Sequence, residues 1–376
     1  MAGIYIHIPF CAKKCHYCNF FSLASKKYIG TFVTALCKEI ELQKDYLENE
    51  KISTIYFGGG TPSLLSVDSI THIINKLNNH FKIDSDVEIT IEANPDDLNY
   101  EYLKQISQTA INRLSIGIQS FDDADLLFLN RLHSAQQASE TIFNARKTGI
   151  NNISIDLIYG IPGLTDEKWK QNISKAIESG VQHISAYSLT VESNTAFDLF
   201  IKKGKINAPD DETALRHFNI LCDEMNKNSF IHYEISNFCK LGFESKHNSN
   251  YWKQRKYLGL GPSAHSYNLK SRQWNISNLQ QYIKDIDSGI IPFDKEELNL
   301  TQRYNEYIMT GLRCIWGVNL DYIYTEFGEK YYSDLIKNSE EYINKQFLKS
   351  ENNSLIITQK AKFFSDGIAS DLFYEE

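Results

Sequence analysis

The feature that most constrains the fold is a regular alternation of short strand-like and helix-like segments through about residue 190. The predicted strands lie at 3–8, 52–57, 87–93, 113–119, 152–158 and 183–189. Helical patterns lie between them, near 28–47, 66–80, 99–109, 135–147 and 166–178. Repeated strand–helix units are typical of parallel sheets. Six units are enough for either an open sheet or a partial barrel.

The predicted strands have one apolar and one polar face. Residues 87–92 read Val-Glu-Ile-Thr-Ile-Glu, and residues 114–119 read Leu-Ser-Ile-Gly-Ile-Gln. A doubly wound sheet covered by helices on both sides would be apolar on both faces. We therefore predict an α/β fold with a partial (β/α)6 barrel. Its apolar faces should meet an outer layer of helices, and its polar faces should surround a wet or ligand-filled interior.

Beyond residue 190 the alternation weakens, and after about residue 300 the pattern is mainly helical. A single strand is predicted at 232–238. Further helices are predicted near 300–314, 319–326, 330–348 and 360–373, with a strand pair near 350–358. We divide the chain into the partial barrel (1–235), a connecting region (236–295) and a mainly helical C-terminal domain with a small hairpin (296–376).

Composition narrows the class of protein. Formal net charge is −8, and residues 296–376 carry eight Lys and Arg against 14 Asp and Glu, a balance that disfavours a nucleic-acid partner. Apolar runs are only strand-length, so we expect no membrane span. Only Met1 and Ala2 precede the first strand, so we expect no signal peptide. Seven cysteines, three of them bunched, do not resemble a secreted disulfide framework, and we expect a cytoplasmic protein.

The bunched cysteines are Cys11, Cys15 and Cys18, which follow the first predicted strand with the spacing C-x3-C-x2-C. They could form a structural zinc loop with a remote fourth ligand such as Cys37, or Cys15 and Cys18 could form a redox pair. Three thiolates can also hold a four-iron cluster and leave one iron without a protein ligand. That open iron could bind a substrate or a cofactor.

Other candidates follow the ends of the predicted strands. A glycine run at 58–60 is either a tight strand–helix turn or a place where backbone approaches a ligand. Glu92, Gln119 and Asp156 fall on the polar faces of three successive strands. A carboxylate that points into an interior needs a partner, and ligand hydroxyl and amino groups would supply one.

The cysteine spacing after a first strand resembles the radical S-adenosylmethionine (SAM) enzymes. This resemblance implies a [4Fe–4S] cluster on Cys11, Cys15 and Cys18, with SAM bound to the open iron. Further motifs, at 5–11, 58–62, 92–95, 115–121 and 156–163, resemble the oxygen-independent coproporphyrinogen III oxidase group. The resemblance implies that SAM is bound by Tyr5, Tyr17, Gly59, Gly60, Thr61, Glu92, Gln119, Arg131 and Asp156. Arg131 rests on spacing more than on a motif.

Two features differ from the oxidases. The oxidases carry a fourth cysteine where this chain has Phe20. Residues 247–252 read His-Asn-Ser-Asn-Tyr-Trp and are followed by Tyr-Leu-Gly-Leu-Gly-Pro-Ser-Ala-His-Ser at 257–266. That combination is similar to the HemW-type haem chaperones. Although a lone loop histidine is more often structural, the resemblance implies a haem site that includes His247, Tyr251 and Trp252.

The same resemblance implies a carrier that hands haem to an acceptor protein, with an electron donor for the cluster and peripheral membrane contact during transfer. No residue is assigned a catalytic role, and whether the chain is an enzyme stays open. One alternative is an oxidase that converts coproporphyrinogen III to protoporphyrinogen IX. The other is a zinc-loop binding protein without redox chemistry.

Overall fold

The computed structural model describes residues 1–375, and six parallel strands lie side by side in chain order. They are β1 (Ala2–Ile8), β2 (Ile52–Gly59), β3 (Ile83–Ala93), β4 (Arg113–Gln119), β5 (Ile153–Tyr159) and β6 (His183–Ser188). The helices between them are α1 (Ile29–Leu42), α2 (Val67–His80), α3 (Tyr100–Ile106), α4 (Asp123–Phe128), α5 (Ala135–Lys147) and α6 (Asp166–Glu178). The predicted α/β alternation is confirmed, and the short helix α4 is an addition to it. Short 3₁₀ turns at Pro62–Leu64 and Pro95–Asp97 follow β2 and β3.

Strand register places the predicted polar faces on one side of the sheet. Glu92 of β3 lies opposite Ser115 of β4, and Asp156 of β5 lies opposite Ser185 of β6. Side chains at paired positions of neighbouring strands point to the same face. The alternate residues, such as Ile4, are fully buried in a continuous hydrophobic core. The polar interior therefore follows directly from the period-two pattern of the strands.

The sheet continues beyond both edges of the parallel strands. Next to β6 lie β8 (Asn237–Cys239) and then β7 (Ile231–Glu234), preceded in the chain by α7 (Ala196–Lys202) and α8 (Asp211–Lys227). The single strand predicted at 232–238 is wrong, because the chain reverses at residues 235–236. The Glu234 carboxylate accepts a hydrogen bond from the Ser236 amide at 3.1 Å, which stabilises this turn.

The connecting region adds strands next to β1. It contains α9 (Lys246–Trp252), β9 (Tyr257–Leu260), β10 (His265–Tyr267), β11 (Ser271–Asn275), α10 (Leu279–Asp287) and β12 (Phe293–Glu297). β9 pairs in parallel with β1, and the later strands are antiparallel. Across the described residues, the strand order ends at β12 on one side and at β7 on the other. The barrel is therefore partial and open.

The C-terminal part is mainly helical and has its own hydrophobic core, formed by residues 304–372. It consists of α11 (Leu300–Leu312), β13 (Val318–Asn319), α12 (Leu320–Phe327), α13 (Glu329–Asn344), β14 (Leu348–Glu351), β15 (Ser354–Ile357) and α14 (Ser365–Asp371). The helix predicted at 360–373 is instead a 3₁₀ segment, Gln359–Phe364, followed by α14. The predicted domain boundaries at 235 and 295 stay predictions. Among residues 1–375, no helix combines the length and apolar character needed to cross a bilayer.

Candidate functional site

The three cysteines lie in a segment that leaves the carboxyl end of β1. Backbone hydrogen bonds close this segment, from the Cys11 amide to the Leu23 carbonyl at 3.0 Å and from the Leu23 amide to the Pro9 carbonyl at 2.8 Å. Cys11 is buried, and Cys15 and Cys18 are half-buried. The thiols therefore lie at the carboxyl ends of the parallel strands, where β/α barrels place their ligand sites.

Two side chains donate hydrogen bonds to the cysteine sulfurs. The Thr61 hydroxyl lies 3.6 Å from Cys11 Sγ, and Arg131 Nη1 lies 3.4 Å from Cys15 Sγ. Burial raises the pKa of Cys18, a backbone hydrogen bond at Phe20 opposes this rise, and the Cys15 and Cys11 thiols add to it. A thiolate-bound cluster is tuned by hydrogen bonds to its sulfurs. The donor set and its surroundings fit a cluster on these three cysteines.

A zinc loop, the alternative considered above, would require several ligand side chains to converge on one metal ion. Across residues 1–375, no three His, Cys, Asp or Glu side chains converge as the ligands of one metal ion do. In a four-iron cluster each thiolate binds a different iron, so such convergence is not required. Cys37, the remote ligand considered above, is buried on α1 near Lys76 of α2. None of the seven cysteines forms a disulfide.

The glycine run at the end of β2 contacts both the interior and the cysteine segment. A Cβ on Gly58 would lie 2.9 Å from the rings of Tyr5 and Tyr56. A Cβ on Gly60 would lie 3.0 Å from Cys11 Sγ, and it would lie closer still to the carbonyl oxygens of Phe10 and of Ile8 at the end of β1. Only glycine fits without displacement at these two positions. The run therefore brings backbone close to the predicted cluster and SAM residues.

Two half-buried carboxyl groups, Glu92 and Asp156, project into the interior beneath the cysteine segment. Burial raises the pKa of Glu92 to about 7, although the Tyr56 hydroxyl donates to Glu92 Oε1 at 2.7 Å and opposes this rise. Burial likewise raises the pKa of Asp156 to about 6, opposed by a hydrogen bond from Ser185. Neither carboxylate forms an ion pair closer than 4.0 Å with a side chain of residues 1–375. The positive charge of Arg113 lowers the pKa of both groups, and that of Arg131 lowers the pKa of Asp156, so both opposing charges act without a direct ion pair. A cationic ligand would add a closer partner.

Gln119 and Arg131 meet above Gly117 of β4. A Cβ on Gly117 would lie 2.9 Å from Gln119 Nε2 and 3.3 Å from Arg131 Nη2. Arg131 Nη2 also donates to Asn94 Oδ1 at 2.6 Å and to the Gly117 carbonyl at 2.7 Å. Because Arg131 Nη1 contacts Cys15, this side chain links the cysteine segment to the polar interior. Arg131, predicted more from spacing than from a motif, lies among the other predicted SAM residues.

The two predicted tyrosines lie in different places: Tyr5 is beside Gly58 of the glycine run, and Tyr17 is beside Arg131. The Tyr5 hydroxyl lies 3.1 Å from His7 Nδ1. Burial raises the pKa of Tyr17, with the charge of Arg131 opposing and that of Cys15 adding to the rise, so Tyr17 lies beside both. The structure thus places the predicted SAM residues around one mouth of the partial barrel. Their individual roles stay predictions.

His247 lies deeper in the interior, near the starts of β1 and β2, with its ring centroid 6.4 Å from that of Tyr5. Its Nδ1 is 2.9 Å from Thr54 Oγ1, its Nε2 is 2.9 Å from the Tyr251 hydroxyl, and its ring stacks on Tyr56 with centroids 4.9 Å apart. A Cβ on Gly3, near the start of β1, would contact the same ring. Burial lowers the pKa of His247 to about 3, so the imidazole is neutral and both nitrogens are hydrogen-bonded. Its predicted haem role stays a prediction.

A cleft of about 520 Å³ opens between the cysteine segment, α9 and α11. Phe20 lines it and is 64% exposed, at the position where the oxidases carry cysteine. Tyr251 and Trp252 line the cleft, whereas His247 lies behind Tyr251. Other wall residues are Tyr257, Ser263, His265, Tyr267, Arg272 and Glu306.

Three residues near the site, Arg113, Asn94 and His265, were not predicted as site residues from the sequence. Arg113 is 1% exposed and projects into the interior from β4. The strand alternation indicates this position, because Arg113 is an even number of residues from Ser115 and Gln119 and therefore lies on the same polar face of the strand. Asn94 lies within the motif at 92–95, but no binding role was predicted for it. His265 had no local signal, because the stretch around it lacks periodicity.

The open β/α barrel and the three-cysteine segment are features of one class of protein, and comparison with known families supports that class. The model of the Radical SAM superfamily matches residues 5–176, and that of the HemN C-terminal domain matches residues 298–364. The solved structure of coproporphyrinogen III oxidase (HemN) from Escherichia coli superposes with a TM-score of 0.86. That match covers 99% of this chain and 90% of the other at 20% identity, and it supports the fold alone.

Sequence relatives narrow the class. The haem chaperone HemW of Bacillus subtilis is 36% identical over 88% of this chain and 87% of its own length. HemW of Lactococcus lactis is 34% identical over 95% and 93%. A mitochondrial radical SAM domain-containing protein 1 of Danio rerio is 33% identical over 84% and 74%. The chain belongs to the HemW haem chaperone family within the radical SAM superfamily. Membership of this superfamily implies a [4Fe–4S] cluster and SAM.

Proposed function

We propose that this chain binds haem in the cleft between the cysteine segment, α9 and α11, and transfers it to an acceptor protein. The observation that carries the proposal is the cleft itself, which is lined largely by aromatic side chains and lies directly beside the cysteine segment. Its volume of about 520 Å³ is within the usual range for pockets that bind organic ligands. Relatives that carry the name haem chaperone support the choice of ligand.

The cluster and SAM have separate places in this proposal. Cys11, Cys15 and Cys18 hold the cluster, which supplies an iron with an open position for SAM. The glycine run, Glu92, Gln119, Arg131 and Asp156 hold the amino acid and ribose parts of SAM through backbone, carboxylate, amide and guanidinium groups. The acceptor protein and an electron donor for the cluster complete the set of partners. The cytoplasm, where thiols remain reduced, is the compartment this chemistry needs.

The proposal is tested with anaerobically reconstituted protein titrated with haem. We expect a saturable change in the Soret band at about one haem per chain, followed by transfer of the haem to added apomyoglobin as a probe acceptor. Absence of a saturable Soret change would reject haem carriage. Turnover of coproporphyrinogen III with SAM and a reductant, measured in parallel, would favour the oxidase alternative.

Affinity for SAM should fall as the pH is lowered below 7. Glu92, with a pKa of about 7, and Asp156, with a pKa of about 6, both gain protons in that range and lose their attraction for the cationic ligand. Each carboxyl group weakens binding by roughly tenfold per pH unit once the pH is below its pKa. Isothermal titration of cluster-loaded protein between pH 8 and pH 5.5 measures the effect.

The matched variant is Glu92→Gln, which keeps the size of the side chain and removes its titration. Its affinity at pH 8 should be lower, and its pH dependence should be confined to the range below about 6, where Asp156 titrates. Visible absorbance at each pH shows that the cluster is intact. An unchanged pH profile in the variant would remove Glu92 from the SAM site.

A further inference from the structure

We propose that Thr54 and Glu88 are positioning residues of the haem site, which hold His247 so that its Nε2 atom is the one that binds haem. This role rests on the proposed haem-carrying function and on the predicted place of His247 in the haem site. The two residues belong to strands β2 and β3 and lie outside the His-Asn-Ser-Asn-Tyr-Trp motif. Neither contacts haem in this proposal, and both act through the histidine.

The two residues are neighbours on the inner face of the sheet. Gly3 of β1 pairs with Thr54 of β2, and Thr54 pairs with Glu88 of β3. Side chains at paired positions point to the same face, and α9 packs against β1 and β2 on this face. Thr54 and Glu88 are both buried there. The row therefore presents a hydroxyl and a carboxylate to the first turn of α9.

Glu88 anchors the backbone of the histidine. Its Oε1 accepts from the His247 amide at 3.0 Å, and its Oε2 accepts from the Lys246 amide at 3.2 Å. The first amides of a helix have no partner within the helix, and a carboxylate both accepts from them and complements the helix dipole. Ser245 Oγ accepts from the next amide, that of Asn248, at 3.3 Å. The first turn of α9 is thereby tied to β3.

Thr54 holds the ring of the histidine. Thr54 Oγ1 lies 2.9 Å from His247 Nδ1, and Asn250 Nδ2 donates to the same oxygen at 3.4 Å. A Cβ on Gly3 would lie 2.8 Å from Thr54 Oγ1 and 3.4 Å from His247 Cε1. The missing side chain at Gly3 therefore leaves room for the hydroxyl and the imidazole to meet.

The other ring nitrogen faces the cleft. His247 Nε2 lies 2.9 Å from the hydroxyl of Tyr251, and Tyr251 lines the cleft. A histidine that binds a metal through one nitrogen commonly donates from the other to an oxygen, which fixes the tautomer and strengthens the ligand. Here Nδ1 donates to Thr54, so Nε2 keeps its lone pair. Burial and the charge of Arg113 lower the pKa of His247 to about 3, and movement of the Tyr251 hydroxyl then opens Nε2 to haem.

The test is haem titration of cluster-loaded protein that carries Thr54→Val, which removes the hydroxyl and keeps the branched side chain. We expect affinity for ferric haem to fall about tenfold, because loss of an outer partner of a metal-bound histidine costs that much or more. The midpoint potential of the bound haem should rise, because a histidine without an acceptor at Nδ1 donates less electron density to iron. Thr54→Ser, which keeps the hydroxyl, should restore both values.

Thr90→Val is the matched control. Thr90 is buried on the same face of the sheet, and its hydroxyl has no hydrogen-bond partner among residues 1–375. Its replacement should change neither haem affinity nor midpoint potential. Glu88→Gln should weaken haem binding and leave the midpoint potential unchanged, because Glu88 holds the backbone and not the ring. SAM affinity reports that each variant is folded.

The outcomes separate the two proposals. Wild-type protein that binds no haem would overturn the proposed function and the positioning roles together. Haem binding by the wild type with the same affinity and potential in Thr54→Val would overturn the role of Thr54 alone. Equal losses in Thr54→Val and Thr54→Ser would also overturn it, because the hydroxyl would then have no effect. Wild-type affinity in Glu88→Gln would remove Glu88 from the site.

Discussion

Replacing Cys15 with alanine should reduce the iron content of anaerobically reconstituted protein from about four atoms per chain to below one. Cys15 is one of only three thiols on the segment after β1, and two thiolates are too few to retain a four-iron cube. The change also leaves Arg131 Nη1 without its sulfur partner at 3.4 Å. SAM affinity should fall with the iron, because the open coordination position is lost. Iron and sulfide analysis together with visible absorbance measures the outcome.

Cys37→Ala is the matched control, because it makes the same substitution at a buried cysteine on α1. It should retain full iron and sulfide. Retention of the cluster in Cys15→Ala would contradict the three-cysteine assignment. Loss of metal in Cys37→Ala, with zinc in place of iron and sulfide in the wild type, would support the zinc-loop alternative.

The parallel part of the fold was predictable because its determinants are local. Strand alternation places Glu92 and Asp156 on the polar face, and parallel pairing of consecutive strands then brings them to one interior. The helices α5 and α6 begin after Ser134 and Thr165, whose hydroxyls cap them, and both match the predicted spans. In each case a few neighbouring residues determine the result.

The parts of the fold and site that were not predicted depend on contacts between distant parts of the chain. β9 pairs with β1 across about 250 residues, and the short strands that follow it carry no clear alternation. The turn at Glu234 depends on a buried carboxylate that also contacts Arg313 of the C-terminal part. Likewise, the hydrogen bonds that occupy His247 come from Thr54 and Tyr251, and only the folded chain brings the first of these near.

Replacing Arg313 with alanine should destabilise the protein by about 3 kcal/mol, since breaking a buried ion pair leaves an uncompensated charge. Glu234 is 1% exposed, and its Oε1 accepts from Arg313 Nη2 at 2.9 Å. Arg313 Nη1 also reaches Asp366 at 2.8 Å, and the guanidinium lies 5.1 Å from the ring of Trp252. This side chain therefore ties β7, α14 and one wall of the cleft together. Urea unfolding and haem titration measure the two consequences.

An exposed pair at the carboxyl end of α13 provides the comparison. Lys345 pairs with Glu341 one helical turn away, and both side chains are more than half exposed. Lys345→Ala should change stability by only about 0.5 kcal/mol and leave haem affinity unchanged. The double variant Glu234→Gln with Arg313→Met should recover most of the stability lost in Arg313→Ala, because no buried charge is then left alone. An Arg313→Ala variant as stable as Lys345→Ala would show that Glu234 finds water or another partner. In that case the junction between β7 and α11 would depend on its backbone contacts, such as the Ile235 amide donating to the Arg313 carbonyl at 3.1 Å.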